Sequence, residues 1–269
     1  MEPFKFSRAR SVADAAATFS KAADARYLAG GQTLLPVMKQ RLAVPSDIIS
    51  LGGVADLNGI TCSADKIVIG AMTRHADVGA HVQIKALLPA LAVLAGGIAD
   101  PHVRNRGTLG GSLANNDPAA DYPAAVLGLG ATVVTDKRRI AGDDFFQGFF
   151  TTALEPGELI TSVEFPVPKR AGYVKFPHPA SRYALVGVMV CESAEGVRVA
   201  VTGAGACVFR VAAMEQALAK SFTPEAIAGI KYPDADLTSD RHGSAVYRAH
   251  LITVLAKRAV QAALKGSQS

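Results

Sequence analysis

Ala29-Gly-Gly-Gln-Thr-Leu-Leu-Pro36 and Val103-Arg-Asn-Arg-Gly-Thr-Leu-Gly-Gly-Ser112 are the two stretches on which the reading of this 269-residue chain turns. The first follows a short strand-like run, Arg26–Ala29, and leads into a helical stretch carrying Leu34, Leu35, Met38 and Leu42. Consecutive glycines there let backbone N–H groups turn toward a ligand with no Cβ in the way, and a helix start adds positive dipole. That is the chemistry needed to hold a pyrophosphate. A plain strand-to-helix turn has the same local signature, because one Gly-Gly pair is a weak motif. Pro36 fits if the helix begins near Thr33, which places proline in its first turn.

The second stretch lies inside a glycine- and asparagine-rich segment, Asp100–Asp121, that reads as a loop of about twenty residues, a length at which loops in compact domains are usually functional. Gly107–Ser112 adds permissive backbone and the hydroxyls of Thr108 and Ser112. Asp121, closing Asn116-Asp-Pro-Ala-Ala-Asp121, offers a carboxylate that can accept hydrogen bonds from sugar or ribityl hydroxyls. Asp117 and Asp121 also have the spacing of a metal or acid/base pair, but no third ligand lies near them in sequence. Together the two glycine loops read as opposite sides of one extended phosphate ligand.

Outward from the loops, the chain reads as α+β. Ser11-Val-Ala-Asp14 has the form of a helix cap, with Val12, Ala15, Ala16, Phe19 and Ala23 at helical spacing after it. With a second strand at Asp47–Leu51, the first segment makes a small α/β unit of about 55 residues. Lys66–Gly70 is a strand, Thr73 is a cap for a short helical turn, and Gln83–Gly97 is one Ala/Leu-rich helix. Further strands are expected at Ala131–Thr135, Leu159–Phe165, Tyr173–Phe176, Tyr183–Cys191, Gly196–Thr202 and Cys207–Arg210. Pro166–Gly172 is the expected domain boundary. Thr223-Pro224 opens a helix, and Tyr247, Leu251, Val254, Leu255 and Ala262 form one face of a long last helix.

Composition removes several function classes. Hydrophobic residues make up 49% and charged residues 19%, a globular balance. The first twenty residues lack the apolar core of a signal peptide, and no uncharged stretch is long enough to span a bilayer, so a cytoplasmic protein is expected. Cys62, Cys191 and Cys207 have no C-x-x-C spacing and read as reduced, buried thiols rather than ligands of zinc or an iron–sulfur cluster. The formal charge of +5 is spread singly, and Lys137-Arg138-Arg139 reads as a solvated hairpin turn rather than a nucleic-acid patch. The histidines read as satisfied or surface side chains, with His102 and His178 the exceptions worth watching. Rossmann, P-loop, nucleophile-elbow and H-E-x-x-H motifs are absent.

Five segments, in order and in register, resemble the FAD-binding medium subunit of molybdenum hydroxylases, the group containing carbon-monoxide dehydrogenase and xanthine dehydrogenase. They are Ala29–Pro36; Gly70-Ala-Met-Thr-Arg-His75; Val103–Ser112 with Asp117–Asp121; Pro156-Gly-Glu-Leu-Ile160 with Phe165-Pro166; and Lys175-Phe-Pro-His-Pro-Ala-Ser-Arg182. The resemblance implies an FAD-binding domain of the p-cresol methylhydroxylase type over residues 1–168, with two α+β subdomains at about 1–56 and 57–168. It implies a C-terminal flavoprotein domain over 169–269 with a small antiparallel sheet and helices. It further implies that Ala29, Gly30, Gly31, Gln32, Thr33 and Leu34, with Thr108, Gly110, Gly111 and Ser112, clasp the pyrophosphate and ribityl chain. Asp121 is implied to bind FAD hydroxyls, and Ile98, Ile160 and Lys175 to line the flavin.

The function so implied is electron transfer within a dimer of heterotrimers. A large subunit with the molybdenum cofactor oxidises the substrate, a small subunit relays electrons through [2Fe-2S] clusters, and FAD on this chain hands them to a final acceptor. The alternatives are a free-standing reductase resembling the enolpyruvyl-sugar reductase and a flavin-free structural subunit. Against the first, no serine or glutamate proton donor is evident in a C-terminal substrate domain.

Overall fold

The computed structural model describes residues 1–266. The first unit is a parallel three-stranded sheet in the order β1-β3-β2, with β1 (Lys5–Arg8) and β2 (Ala25–Leu28) flanking β3 (Asp47–Ser50). Helices α1 (Val12–Phe19) and α2 (Leu34–Lys39) supply the crossovers. Strand β1 escaped the sequence reading because Phe4 and Phe6 face outward, so its apolar pattern marks no core. Ser11 caps α1 through the Asp14 N–H at 3.1 Å, while the Asp14 carboxylate turns back to the Arg10 N–H at 2.9 Å.

The middle unit is an antiparallel sheet, β4-β5-β10-β6-β7, formed by Ile60–Cys62, Lys66–Gly70, Ile160–Pro166, Thr132–Thr135 and Arg139–Ala141 in that spatial order. Short helices cover it: α3 (His75–Ala80), α4 (Val82–Leu87), α5 (Pro89–Gly96), α6 (Pro101–Arg104), α7 (Leu109–Asn115), α8 (Tyr122–Gly128) and α9 (Gly142–Phe145). The single helix expected over Gln83–Gly97 is two, broken where Leu88 precedes Pro89 and leaves the helical region at φ −147°. The twenty-residue loop expected at Asp100–Asp121 contains two helices, α6 and α7. Asp100 caps α6 by accepting from the Val103 N–H at 2.9 Å, with Pro101 at the first position, and Thr108 caps α7 through the Gly111 N–H at 3.2 Å. Thr73 caps nothing; its hydroxyl donates to the Gly59 carbonyl. A tight hairpin, β8 (Phe146–Gly148) and β9 (Thr151–Thr152), projects from this unit.

The third unit is an antiparallel sheet β11-β12-β13-β14, comprising Arg170–Pro177, Ala184–Ser193, Gly196–Thr202 and Phe209–Arg210. Helices α10 (Ala212–Lys220) and α11 (Ala245–Gly266) complete it. The unbroken apolar run of β12 reflects burial on both faces. Val186, Val188 and Val190 join the core beneath α11, whereas Met189 and Cys191 point the other way into the core of the middle unit. On α11, Leu251 and Leu255 are buried as expected, but Ile252, Ala256, Ala259, Val260 and Ala263 complete the face in place of Tyr247, Val254 and Ala262. Thr223-Pro224 opens only a 3-10 turn. Lys137-Arg138-Arg139 does form a β6–β7 turn, yet its charges are paired with Glu155, Glu158 and Glu164 rather than merely solvated. Cys191 is buried, and Cys62 and Cys207 are half-buried.

Candidate functional site

A cleft of about 730 Å³ runs between the three units, within the usual range for cofactor-sized ligands of roughly 300–1,000 Å³. Both glycine loops line it, the first between β2 and α2 and the second at the start of α7. They touch each other. A Cβ built on Gly30 would stand 2.0 Å from the Arg106 carbonyl oxygen and 2.9 Å from Gly107 Cα, so only glycine allows this contact. Gly31 takes φ +74°, the left-handed region that glycine enters without strain.

The two loops are not equivalent in what they offer. Among the described residues, none accepts a hydrogen bond from the backbone N–H groups of Gly30, Gly31, Gln32, Thr33 or Leu34. Five consecutive donors of this kind form a concavity suited to an anion. In the second loop the amides are already used: Leu109 donates to the Thr73 carbonyl, Gly110 to Ala71, Gly111 to the Thr108 hydroxyl and Ser112 to the Thr108 carbonyl. The second loop therefore offers the cleft its Thr108 and Ser112 side chains rather than free backbone donors. Gly110 lines the cleft, and a Cβ there would already meet Ala71 Cβ at 2.6 Å.

Asp121 stands at the foot of α8, 4% exposed, and lines the cleft. Tyr173 on β11 donates its hydroxyl to Asp121 Oδ1 at 2.6 Å. Lys175 Nζ lies 2.8 Å from Oδ1 and 3.1 Å from Oδ2, and also donates to the Arg182 carbonyl at 2.9 Å. Burial pushes the Asp121 carboxyl above its ordinary range, opposed by the Lys175 ammonium and the Tyr173 hydroxyl. The segment that carries Asp117 and Asp121 is fastened to the third sheet: Thr202 Oγ1 donates to the Ala120 carbonyl at 2.6 Å, and the Gly203 N–H to Pro118 at 2.8 Å.

Of the fourteen residues singled out above, thirteen line this one cleft: Ala29 through Leu34, Ile98, Thr108, Gly110, Gly111, Ser112, Asp121 and Ile160. Lys175 does not. It is paired with Asp121, and its side chain is only 10% exposed. Sequence reasoning missed three participants. His75 is buried against the second loop, with Nδ1 unpartnered, its backbone N–H donating to the Gly107 carbonyl at 3.0 Å, and its ring 5.3 Å from Tyr122. At 5% exposed and with Nδ1 unpartnered it is neither a surface nor a satisfied histidine, and burial, then the Arg104 charge, lowers its pKa to about 4. Phe150 enters the cleft wall at φ +50°, from a turn whose Gly148 and Thr151 carbonyls are clamped by the buried Asn116 amide at 2.9 and 2.8 Å. The loop Ala180–Tyr183 closes the cleft from the third unit. Among the described residues, no group of three His, Cys, Asp or Glu side chains could hold a metal.

The residues present fit FAD. Free amides suit its pyrophosphate, the Ser112 hydroxyl and Asp121 carboxylate suit its polyol, and Ile98, Leu159 and Ile160 give an apolar wall for a ring. Comparison with known proteins agrees. The family model for the FAD binding domain in molybdopterin dehydrogenase matches residues 2–168. The chain is 37% identical to the nicotine 6-hydroxylase medium subunit of Paenarthrobacter nicotinovorans, covering 95% of each chain. It is also 37% identical to the carbon monoxide dehydrogenase medium chain of Afipia carboxidovorans, over 97% of this chain and 96% of that one. Among solved structures, a Cu,Mo-CO dehydrogenase chain superposes with a TM-score of 0.88 at 34% identity, covering 99% of this chain and 100% of that one. A chain of quinoline 2-oxidoreductase from Pseudomonas putida 86 does so with a TM-score of 0.89 at 28% identity, covering 100% and 99%. This chain belongs to the family of FAD-binding medium subunits of molybdenum hydroxylases.

Proposed function

We propose that the chain carries FAD in the cleft and works as the electron-transfer subunit of a molybdenum hydroxylase. The observation that carries this reading is the run of five unpartnered amides, Gly30 to Leu34, opening onto a cofactor-sized cleft. They take the pyrophosphate, and the Thr33, Thr108 and Ser112 hydroxyls flank it. Asp121 accepts from FAD hydroxyls and is held in place by Tyr173 and Lys175. Ile98 and Ile160 flank the ring, and Lys175 acts on it through Asp121. FAD, when bound, exchanges electrons singly with metal clusters and in pairs with other acceptors, while the protein supplies orientation and electrostatics.

In this reading residues 1–168 are the FAD-binding domain, with subdomains 1–56 and 57–168, and 169–269 are the C-terminal domain. The partners are a small [2Fe-2S] subunit and a large molybdenum-cofactor subunit in a cytoplasmic dimer of heterotrimers, with substrate oxidation on the large subunit. Relatives named as medium chains of hydroxylases and dehydrogenases support the assignment, as does the absence, among the described residues, of a helix able to cross a membrane. The test uses the chain expressed alone and loaded with FAD. It should bleach on addition of dithionite and regain colour with an added acceptor, yet show no turnover of an aldehyde, purine or N-heterocycle. Steady oxidation of any of these with metals excluded contradicts the subunit reading.

A further inference from the structure

Two exposed patches of different chemistry border the cleft. One is the β8–β9 turn, where Phe149 and Phe150 stack edge-to-face at 4.6 Å on backbone clamped by Asn116; it is apolar and fixed. The other joins residues 176–183 to residues 241–247. Phe176, Tyr183 and Tyr247 are 38%, 45% and 40% exposed, and the Phe176 and Tyr247 rings meet edge-to-face at 6.3 Å. His178 Nε2 and His242 Nδ1, 3.1 Å apart, tie the two segments together.

This second rim is cationic. Arg182 and Arg241 are exposed, and among the described residues neither forms an ion pair with a carboxylate. Of the neighbouring acids, Asp240 is engaged by Arg248 at 2.9 Å and by the His242 and Gly243 N–H groups, Asp121 is paired with Lys175, and Asp117, half-buried, accepts from the Ala119 N–H at 2.9 Å. The rim is also shaped in advance. Lys175 holds the Arg182 carbonyl at 2.9 Å, Arg182 N–H donates to His178 at 2.9 Å, and His178 N–H donates to Tyr183 at 2.8 Å. Arg182 and Tyr183 belong to the cleft wall as well, so a partner seated here stands beside the cofactor.

From this geometry we infer that the aromatic, cationic rim is the docking surface for an acidic electron-carrier protein that receives electrons from this chain. The inference rests on the FAD reading. Exposed tyrosine, phenylalanine and arginine are the residue types enriched at protein interfaces. Uncompensated cations speed encounter with an anionic partner. Transient redox encounters need only small interfaces. A small anionic acceptor fits less well, because sites for small ligands are concave and enclose most of the ligand, whereas these side chains spread over an open surface. Two carrier molecules, each taking one electron, oxidise one fully reduced flavin, whose protons pass to solvent.

The test uses the purified complex, reduced anaerobically and freed of excess reductant. Flavin reoxidation is followed by stopped-flow absorbance with two probes, an acidic plastocyanin and a basic mitochondrial-type cytochrome c. Ionic strength runs from about 10 mM to about 1 M, over which the screening length falls from roughly 30 to 3 Å. The expected result is a rate with plastocyanin that falls at least about tenfold with salt, and a rate with cytochrome c that does not fall. Arg241→Glu, outside the cleft, should lower the plastocyanin-to-cytochrome ratio at low salt by about threefold or more, and Arg182→Glu/Arg241→Glu by more again. A neutral quinone should oxidise wild type and Arg241→Glu equally. A ratio unmoved by either variant overturns the docking surface. Flavin content is measured first on the same samples, so a colourless complex counts against the FAD reading and takes this inference with it.

Discussion

Gly30 carries more of the site than any side chain does. Its missing Cβ lets the two glycine loops touch, and the five free amides begin at its own nitrogen. Gly30→Val should therefore separate the loops and weaken FAD binding by at least about tenfold, roughly 1.4 kcal/mol, measured by titrating apoprotein with FAD. Retention of wild-type affinity would remove the first loop from the site. Lys175 poses a different question, since its ammonium is committed to Asp121. Lys175→Met leaves a buried carboxylate with the Tyr173 hydroxyl and its own backbone N–H but no cation beside it. The expected cost is about 3–5 kcal/mol, read as a lowered urea midpoint, whereas an exposed lysine would leave the midpoint unchanged. The pairing joins residues 54 apart in the chain, so no local pattern announced it. His75 likewise looked ordinary in sequence; that it is buried with Nδ1 unpartnered, and with Nε2 against Gly107, arises only in the fold.

At the scale of elements, the β6–β7 turn and the segment leading into β10 are locked by Glu158. Its side chain has no exposed area and accepts from Arg138 at 3.0 Å, from the Thr135 hydroxyl at 2.7 Å and from the Glu155 N–H at 2.8 Å. The Arg138 hydrogen bond leads the set that holds the carboxyl down to about 2 from an ordinary value of 4.5. A depressed acid stabilises the fold above its unfolded pKa and loses that contribution as pH falls toward its folded one. Thermal midpoints should thus drop between pH 4.5 and about 2, and Glu158→Gln should flatten part of that slope. Glu164, held down in the same way by Arg139, accounts for another part. A slope identical in Glu158→Gln and wild type contradicts the assignment. Elements were legible where one signal dominated: glycine pairs between a strand and a helix, or the apolar run of β12. The helices α6 and α7 were not, although Asp100-Pro101 and Thr108 are caps in plain view. Glycine and asparagine content suggested a loop, while the caps and contacts with Ala71 and Thr73 decided the outcome.

At the scale of the molecule, the third sheet is what turns two glycine loops into a closed site. Met189 and Cys191 pack into the middle core, Thr202 and Gly203 hold the Asp117–Asp121 segment, and Lys175 reaches Asp121 from the same sheet. Sequence periodicity marked the strands of this sheet but not that its second face packs on the middle core, nor that the loop between β11 and β12 is a wall of the cleft. The division of labour follows from the site: the chain binds and orients a carrier of electrons, and the chemistry of substrate oxidation is assigned to a partner. The measurement that tests this most directly is the flavin content of the purified protein, obtained by denaturing it and quantifying released FAD against polypeptide. One FAD per chain in wild type, with little or none in Gly30→Val of equal secondary structure, is the predicted result. A wild-type protein without flavin, or flavin retained in full by Gly30→Val, would contradict the account.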